Sequence, residues 1–114
     1  MTGLRCVVAR PGCAPVVEVM ASAGLADMRA MFGAGRRVYL EHLYSVVIER
    51  GLVSLFVDED ACMTGAPPNR TTPQGVTILG PILACAFDSG GGAVSMSDAQ
   101  IVGVLALLDD WRPA

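Results

Sequence analysis

Lysine is absent from this chain: all eight basic residues are arginine. A Gly-rich phosphate loop ending in Lys-Ser/Thr is therefore excluded, and Gly90-Gly91-Gly92 has no adjoining helix start in the required frame. Charge of either sign is sparse, at 17% of residues with a net of −3. That balance gives no attraction to a nucleic-acid polymer, and it is too mild for an acidic mimic of one. Histidine occurs once, as His42, and no paired-carboxylate or metal-ligand pattern accompanies it, so enzyme readings start without support. The four cysteines, Cys6, Cys13, Cys62 and Cys85, form no C-x-x-C pair and show no zinc-ligand spacing. The acidic run Asp58-Glu59-Asp60 lacks the alternating oxygens and the glycine of a calcium loop. No metal or cofactor is called for.

Long apolar runs are also missing. The longest apolar region, positions 76–87, is broken by Gly80-Pro81 and is too short to span a bilayer. Positions 1–10 show no apolar run followed by a small-residue cleavage site, so no signal peptide is expected. Reduced, buried thiols in the cytoplasm follow from that expectation.

What the chain has in excess is apolar residues, 53% of 114. One domain of this length, 1–114, struggles to bury so much, and a homo-oligomer that covers the surplus is expected.

Taken in order, positions 4–9 read as a strand, 10–15 as a turn, and 16–19 as the returning strand. Ser22 can cap a short helix over 24–32, where Leu25, Met28, Met31 and Phe32 share a face and Gly33 and Gly35 supply the stop. Positions 38–48 and 52–57 read as central strands around a turn at Arg50-Gly51, because both faces are apolar. Two further strands follow, 76–79 and 82–87. In the last segment Ser97 and Gln100 form a capping box. Ile101, Val104, Leu105, Leu108 and Trp111 make one apolar stripe, ended by Pro113. The fold class is α+β: a mostly antiparallel sheet of five or six strands, a short helix after the first hairpin, and a C-terminal helix.

The stretch 62–73 (Cys-Met-Thr-Gly-Ala-Pro-Pro-Asn-Arg-Thr-Thr-Pro) reads as a rigid polar connector between apolar blocks. Its prolines fix φ, and Gly65 and Asn69 suit a tight turn. Asn69 offers an amide that can read a base edge, and Arg70 a planar fork that can hold a phosphate, with Pro68 and Thr71 flanking them. Equally, Asn69 can make its own turn while Arg70 pairs with Asp58 or Asp60. Arg36 and Arg37 offer further anionic contacts, and Tyr39 and Tyr44 offer rings for stacking. His42, on an alternating strand, fits a hydrogen-bonded, partly buried side chain better than a catalyst.

With these motifs in place, the chain resembles a small uncharacterised domain family of phages, plasmids and other bacterial mobile elements. The likeness rests on Pro11-Gly12-Cys13-Ala14-Pro15 in the first hairpin and on Gly65-Ala66-Pro67-Pro68-Asn69-Arg70, a Gly-x-Pro-x-Asn-Arg signature. It also draws on Gly80 within 78–82 and on Ser95-Met96-Ser97-Asp98 before the last helix. The resemblance implies a mobile-element accessory protein in a bacterial host cell, acting against host defence. Joined to the Asn69-Arg70 bend, it leads to an expected function: non-catalytic sequestration of a small anionic ligand, such as a nucleotide immune signal, between subunits. The alternative is a protein-interaction module that inhibits a host defence enzyme. A hydrolase of such signals ranks third.

Overall fold

The computed structural model describes residues 3–22, 24–33 and 38–113. Among them, all strand pairs are antiparallel. The chain opens with the hairpin of β1 (Leu4–Ala9) and β2 (Val16–Met20). Its turn is closed by the Cys13 N–H donating to the Arg10 carbonyl at 3.1 Å. A six-residue helix, α1 (Leu25–Ala30), follows. It is shorter than the expected span, and Met31 and Phe32 lie in the turn after it.

The next hairpin joins β3 (Leu40–Ile48) to β4 (Gly51–Asp58). Its two turn residues are Glu49 and Arg50, at φ 52° and 63°, one position earlier than expected. Both lie in the left-handed region, which matches the twist of the flanking strands but strains side chains other than glycine or asparagine. Next come β5 (Pro68–Thr71), β6 (Thr77–Leu79), β7 (Ile82–Phe87) and the short β8 (Ala93–Val94). The chain ends with α2 (Asp98–Asp110) and β9 (Arg112–Pro113).

The larger sheet has the order β2-β1-β7-β4-β3, with β8 beside β7. Strand β7 therefore lies between the two hairpins. A smaller sheet, β6-β5-β9, sits at its end. Two expectations are corrected here. β3 is an edge strand, because β7 takes the inner side of β4. The stretch 62–73 is not all connector, because its second half becomes the middle strand of the smaller sheet. Pro68 is tolerated as the first residue of β5, where a missing donor costs least.

Period-two alternation sends side chains to both faces of the larger sheet. Val7, Ala9, Val53, Leu55, Val57, Ile82, Ala84 and Ala86 face α2 and pack with Ile101, Val104, Leu108, Met96 and Trp111. Cys6, Val8, Leu83 and Cys85 face the other way, with Met20, Met28, Phe32 and Val38. Strand β7 is buried on both sides, which is why it reads as one unbroken apolar run. Each large side chain buried this way contributes about 1.5–3 kcal/mol.

Helix α2 begins at the capping box. Ser97 Oγ accepts from the Gln100 N–H at 3.1 Å, and Gln100 Oε1 accepts from the Ser97 N–H at 2.9 Å. A cap of this kind is worth about 1 kcal/mol. Arg5 fixes the same end to β1 through Asp98 at 2.8 Å. Further along, a Cβ at Gly103 would lie 2.8 Å from Ile48 Cδ1. A side chain there would have to displace the tip of Ile48.

Candidate functional site

The bend at Asn69-Arg70 is built from two turns of chain and a bulge. After β4 the backbone folds over 58–65, where the Ala66 N–H donates to the Ala61 carbonyl at 3.0 Å. The Gly80 N–H then donates to the Pro67 carbonyl at 2.8 Å. Gly80 has φ 75°, a left-handed turn that a side chain would strain. In β5, Pro68 pairs with Leu79 and Arg70 with Ile78, so Asn69 is the extra residue of a β-bulge. A bulge re-aims its side chain, and here it turns Asn69 inward, to 4% exposure.

Inside, the amide is fully used. Asn69 Nδ2 donates to the Ala9 carbonyl and to the Gly80 carbonyl, both at 2.8 Å, and Oδ1 accepts from Arg70 Nη1 at 2.7 Å. These bonds tie the end of β1, the turn before β7 and β5 to one another. The expectation that Asn69 reads a base edge is corrected: neither amide hydrogen is left for a ligand. Arg70 pairs with neither Asp58 nor Asp60. Its Nε donates to the Leu108 carbonyl at 3.2 Å, a cation at the C-terminal end of α2, where the helix dipole favours one. The partly exposed remainder of Arg70 lines a cleft of about 280 Å³ with Gly12, Cys13, Ala14, Asn69 and Pro113.

The other candidate residues are scattered. Pro68 is exposed, and Thr71 Oγ1 shares a hydrogen bond with Thr77 Oγ1 across the smaller sheet at 3.1 Å. Arg36 and Arg37 lie outside the described residues. The carbonyl of Tyr39 accepts from the Glu59 N–H at 2.7 Å. Tyr44 lies elsewhere, in a groove that the sequence did not reveal.

That groove, also about 280 Å³, is lined by Leu43, Tyr44, Thr72, Pro73, Gln74, Val76, Leu107 and Trp111. A second bulge creates its floor. The register of β3 against β4 shifts between His42 and Tyr44, so the consecutive residues Leu43 and Tyr44 both reach the same side. The Tyr44 and Trp111 rings meet edge to face, with centroids 6.3 Å apart and planes at 72°. Tyr44 is 42% exposed and Val76 54%, whereas Trp111 is buried and holds the ring pair from beneath. No charged side chain lines the groove. It accepts apolar matter and offers polar contacts only through Thr72, Gln74 and the tyrosine hydroxyl.

Sequence reasoning also missed a polar chain on the opposite face. His42 Nε2 and Ser45 Oγ share a hydrogen bond of 2.6 Å, and Ser45 Oγ meets Ser54 Oγ at 2.9 Å. The spacing of Ser45 and His42 was visible, but the Ser54 partner depended on strand register. Two thiols continue the row. Cys6 and Cys85 lie on the paired strands β1 and β7. Burial, with the neighbouring Cys6, pushes Cys85 up to about 12. Burial and the Glu18 carboxylate push Cys6 up to about 11, and its Sγ donates to the Glu18 carbonyl at 3.4 Å. Both are protonated, inert apolar groups at neutral pH. Cys13 and Cys62 are exposed.

Comparison with protein-family models, with curated proteins and with solved structures found no match. Among the described residues, no helix is long and apolar enough to cross a membrane.

Proposed function

We propose that this chain is a non-catalytic binding module that takes an apolar segment of a partner protein into the groove at Tyr44 and Trp111. One observation carries this reading: an uncharged groove with a fixed aromatic pair, one ring of it half-exposed, beside an edge strand. Aromatic rings held by packing lose little freedom on binding, and they are the usual anchors of protein interfaces. The resemblance to mobile-element domains makes a host defence enzyme the class of partner to test first, as a target to be inhibited.

Panning a random peptide display library against the protein tests the reading. Enriched clones are expected to lose binding to a Tyr44→Ser/Val76→Asp variant that keeps the wild-type melting temperature. Clones that bind both proteins equally contradict it.

A second reading keeps the small anionic ligand, such as a nucleotide signal, at the cleft beside Arg70. Its support is the guanidinium itself, held by Asn69 and by the end of α2 and still partly exposed. Calorimetric titration with cyclic dinucleotides and ADP-ribose decides it, since binding must appear and must vanish in Arg70→Ala. Self-association is proposed from the exposed apolar side chains of the opposite sheet edge, β2, among them Val17 at 45% and Val19 at 54%. Light scattering of the purified protein measures it.

A further inference from the structure

The groove opens directly onto β3. That strand is nine residues long, ends the larger sheet, and has no neighbour on its outer side among the described residues. Open edges template another strand through their free N–H and C=O groups, and they are blunted by charged residues, proline or bulges. β3 has no lysine or proline, and its one acidic residue, Glu41, and its bulge at Leu43 lie in the first half, which leaves 44–48 as a regular open edge. Its bulge directs Leu43 and Tyr44 together into the groove, so the backbone edge and the apolar pocket form one continuous surface.

The rim of that surface is acidic. Glu41, two positions before Leu43, is exposed. On α2, Asp110 follows the groove residue Leu107 by three positions and shares its flank of the helix. Asp109 and Asp110 are exposed, and the last turn holds no basic residue. Acidic side chains at a helix C-terminus oppose the dipole. Arg70 at the Leu108 carbonyl offsets that cost, which leaves the two exposed carboxylates available to a cation carried by a partner.

We infer that the segment bound here is an extended strand of a partner protein, added to the edge of β3. It places one aliphatic or aromatic side chain in the groove and an arginine or lysine against Glu41 and Asp110. This inference rests on the groove reading above and names the partner's chemistry. Main-chain bonds along β3 give affinity, while the groove and the acidic rim give specificity, the division of labour of strand addition. A second copy fits less well, since it would bring two acidic rims together.

The probes are the peptides selected by panning, resynthesised with N-methyl groups at alternate residues. Strand addition uses every second peptide amide. One phase of methylation is expected to lower affinity about tenfold or more, and the other phase less than about twofold. Selected sequences should be enriched in arginine or lysine near the apolar anchor. Glu41→Lys and Asp110→Lys should each weaken binding about threefold or more, with the effect shrinking in high salt. Groove-dependent peptides that tolerate methylation in either phase, or that show no cation preference, overturn the strand inference and leave the groove reading standing. If no selected peptide depends on Tyr44, both fall. Dimerisation of the protein alone, with β3 amides already protected from hydrogen exchange, assigns the edge to a second copy and also overturns the inference.

Discussion

Arg70 Nε and the Leu108 carbonyl are hydrogen-bonded at 3.2 Å, which joins the smaller sheet to the end of α2. The same carbonyl accepts from the Trp111 N–H at 3.3 Å. The contact supplies the helix with the cation its own last turn lacks, and it holds Trp111 where the groove needs it. Arg70 thus shapes the binding surface from behind, through the chain that ends α2.

Asn69 is the more costly residue to lose. Asn69→Ala leaves the Ala9 and Gly80 carbonyls without their side-chain donor and opens a space, so it should destabilise by about 2–4 kcal/mol. Asn69→Asp should be at least as damaging, since a buried carboxylate would face two carbonyl oxygens. Arg70→Ala should cost less, about 1–2 kcal/mol, with Arg70→Lys a poor substitute for the directed Nε–H. Urea denaturation ranks the variants. An Asn69→Ala protein as stable as wild type would remove the bridging role assigned here.

At the β3–β4 turn, the side chains occupy a backbone shape that suits them poorly. Replacing Glu49-Arg50 by Asn-Gly should stabilise the protein by about 1–2 kcal/mol. The gain should appear as a higher urea midpoint at unchanged slope. A loss of stability would mean that Glu49 or Arg50 makes a contact worth more than the strain.

The thiols should divide two and two. Native protein treated with a thiol reagent near pH 8 should label Cys13 and Cys62, and all four cysteines should label in denaturant. Folding holds Cys6 and Cys85 protonated above their ordinary value of 9.0. The folded state therefore binds more protons than the unfolded one once pH passes that value. Stability is unaffected below it and falls as pH climbs toward about 11 and 12. A Cys6→Ala/Cys85→Ala protein should start less stable and lose less over the same range. An equal alkaline loss in both proteins would show that other groups set it.

Much of this architecture could be read from local pattern. The strands at 4–9 and 82–87 and the capped start of α2 declare themselves through alternation, burial-type composition and a Ser-x-x-Gln box. The small sheet does not. Pro68 and the threonines around Asn69-Arg70 look like a linker, and only pairing with β6 and β9 makes β5 a strand. Likewise, nothing in 40–48 says that β3 lies at an edge, since that is decided by where β7 inserts. The sequence marked Asn69 by type, but a bulge decided that its amide points inward. Tyr44 was legible as a candidate ring, whereas Trp111 read as part of the core stripe. Their groove joins positions near 43, 74, 107 and 111, and no window of sequence contains them all.

Because Trp111 is the single tryptophan and lines the groove, its emission reports occupancy directly. The decisive measurement is the fluorescence of the wild-type protein titrated with a display-selected peptide, alongside the Tyr44→Ser/Val76→Asp variant. A saturable change in Trp111 emission for wild type, with affinity at least about tenfold weaker in the variant, is the predicted result; tenfold corresponds to about 1.4 kcal/mol. Tight binding that leaves Trp111 emission unchanged, or that the variant retains in full, would place the working surface elsewhere on the molecule.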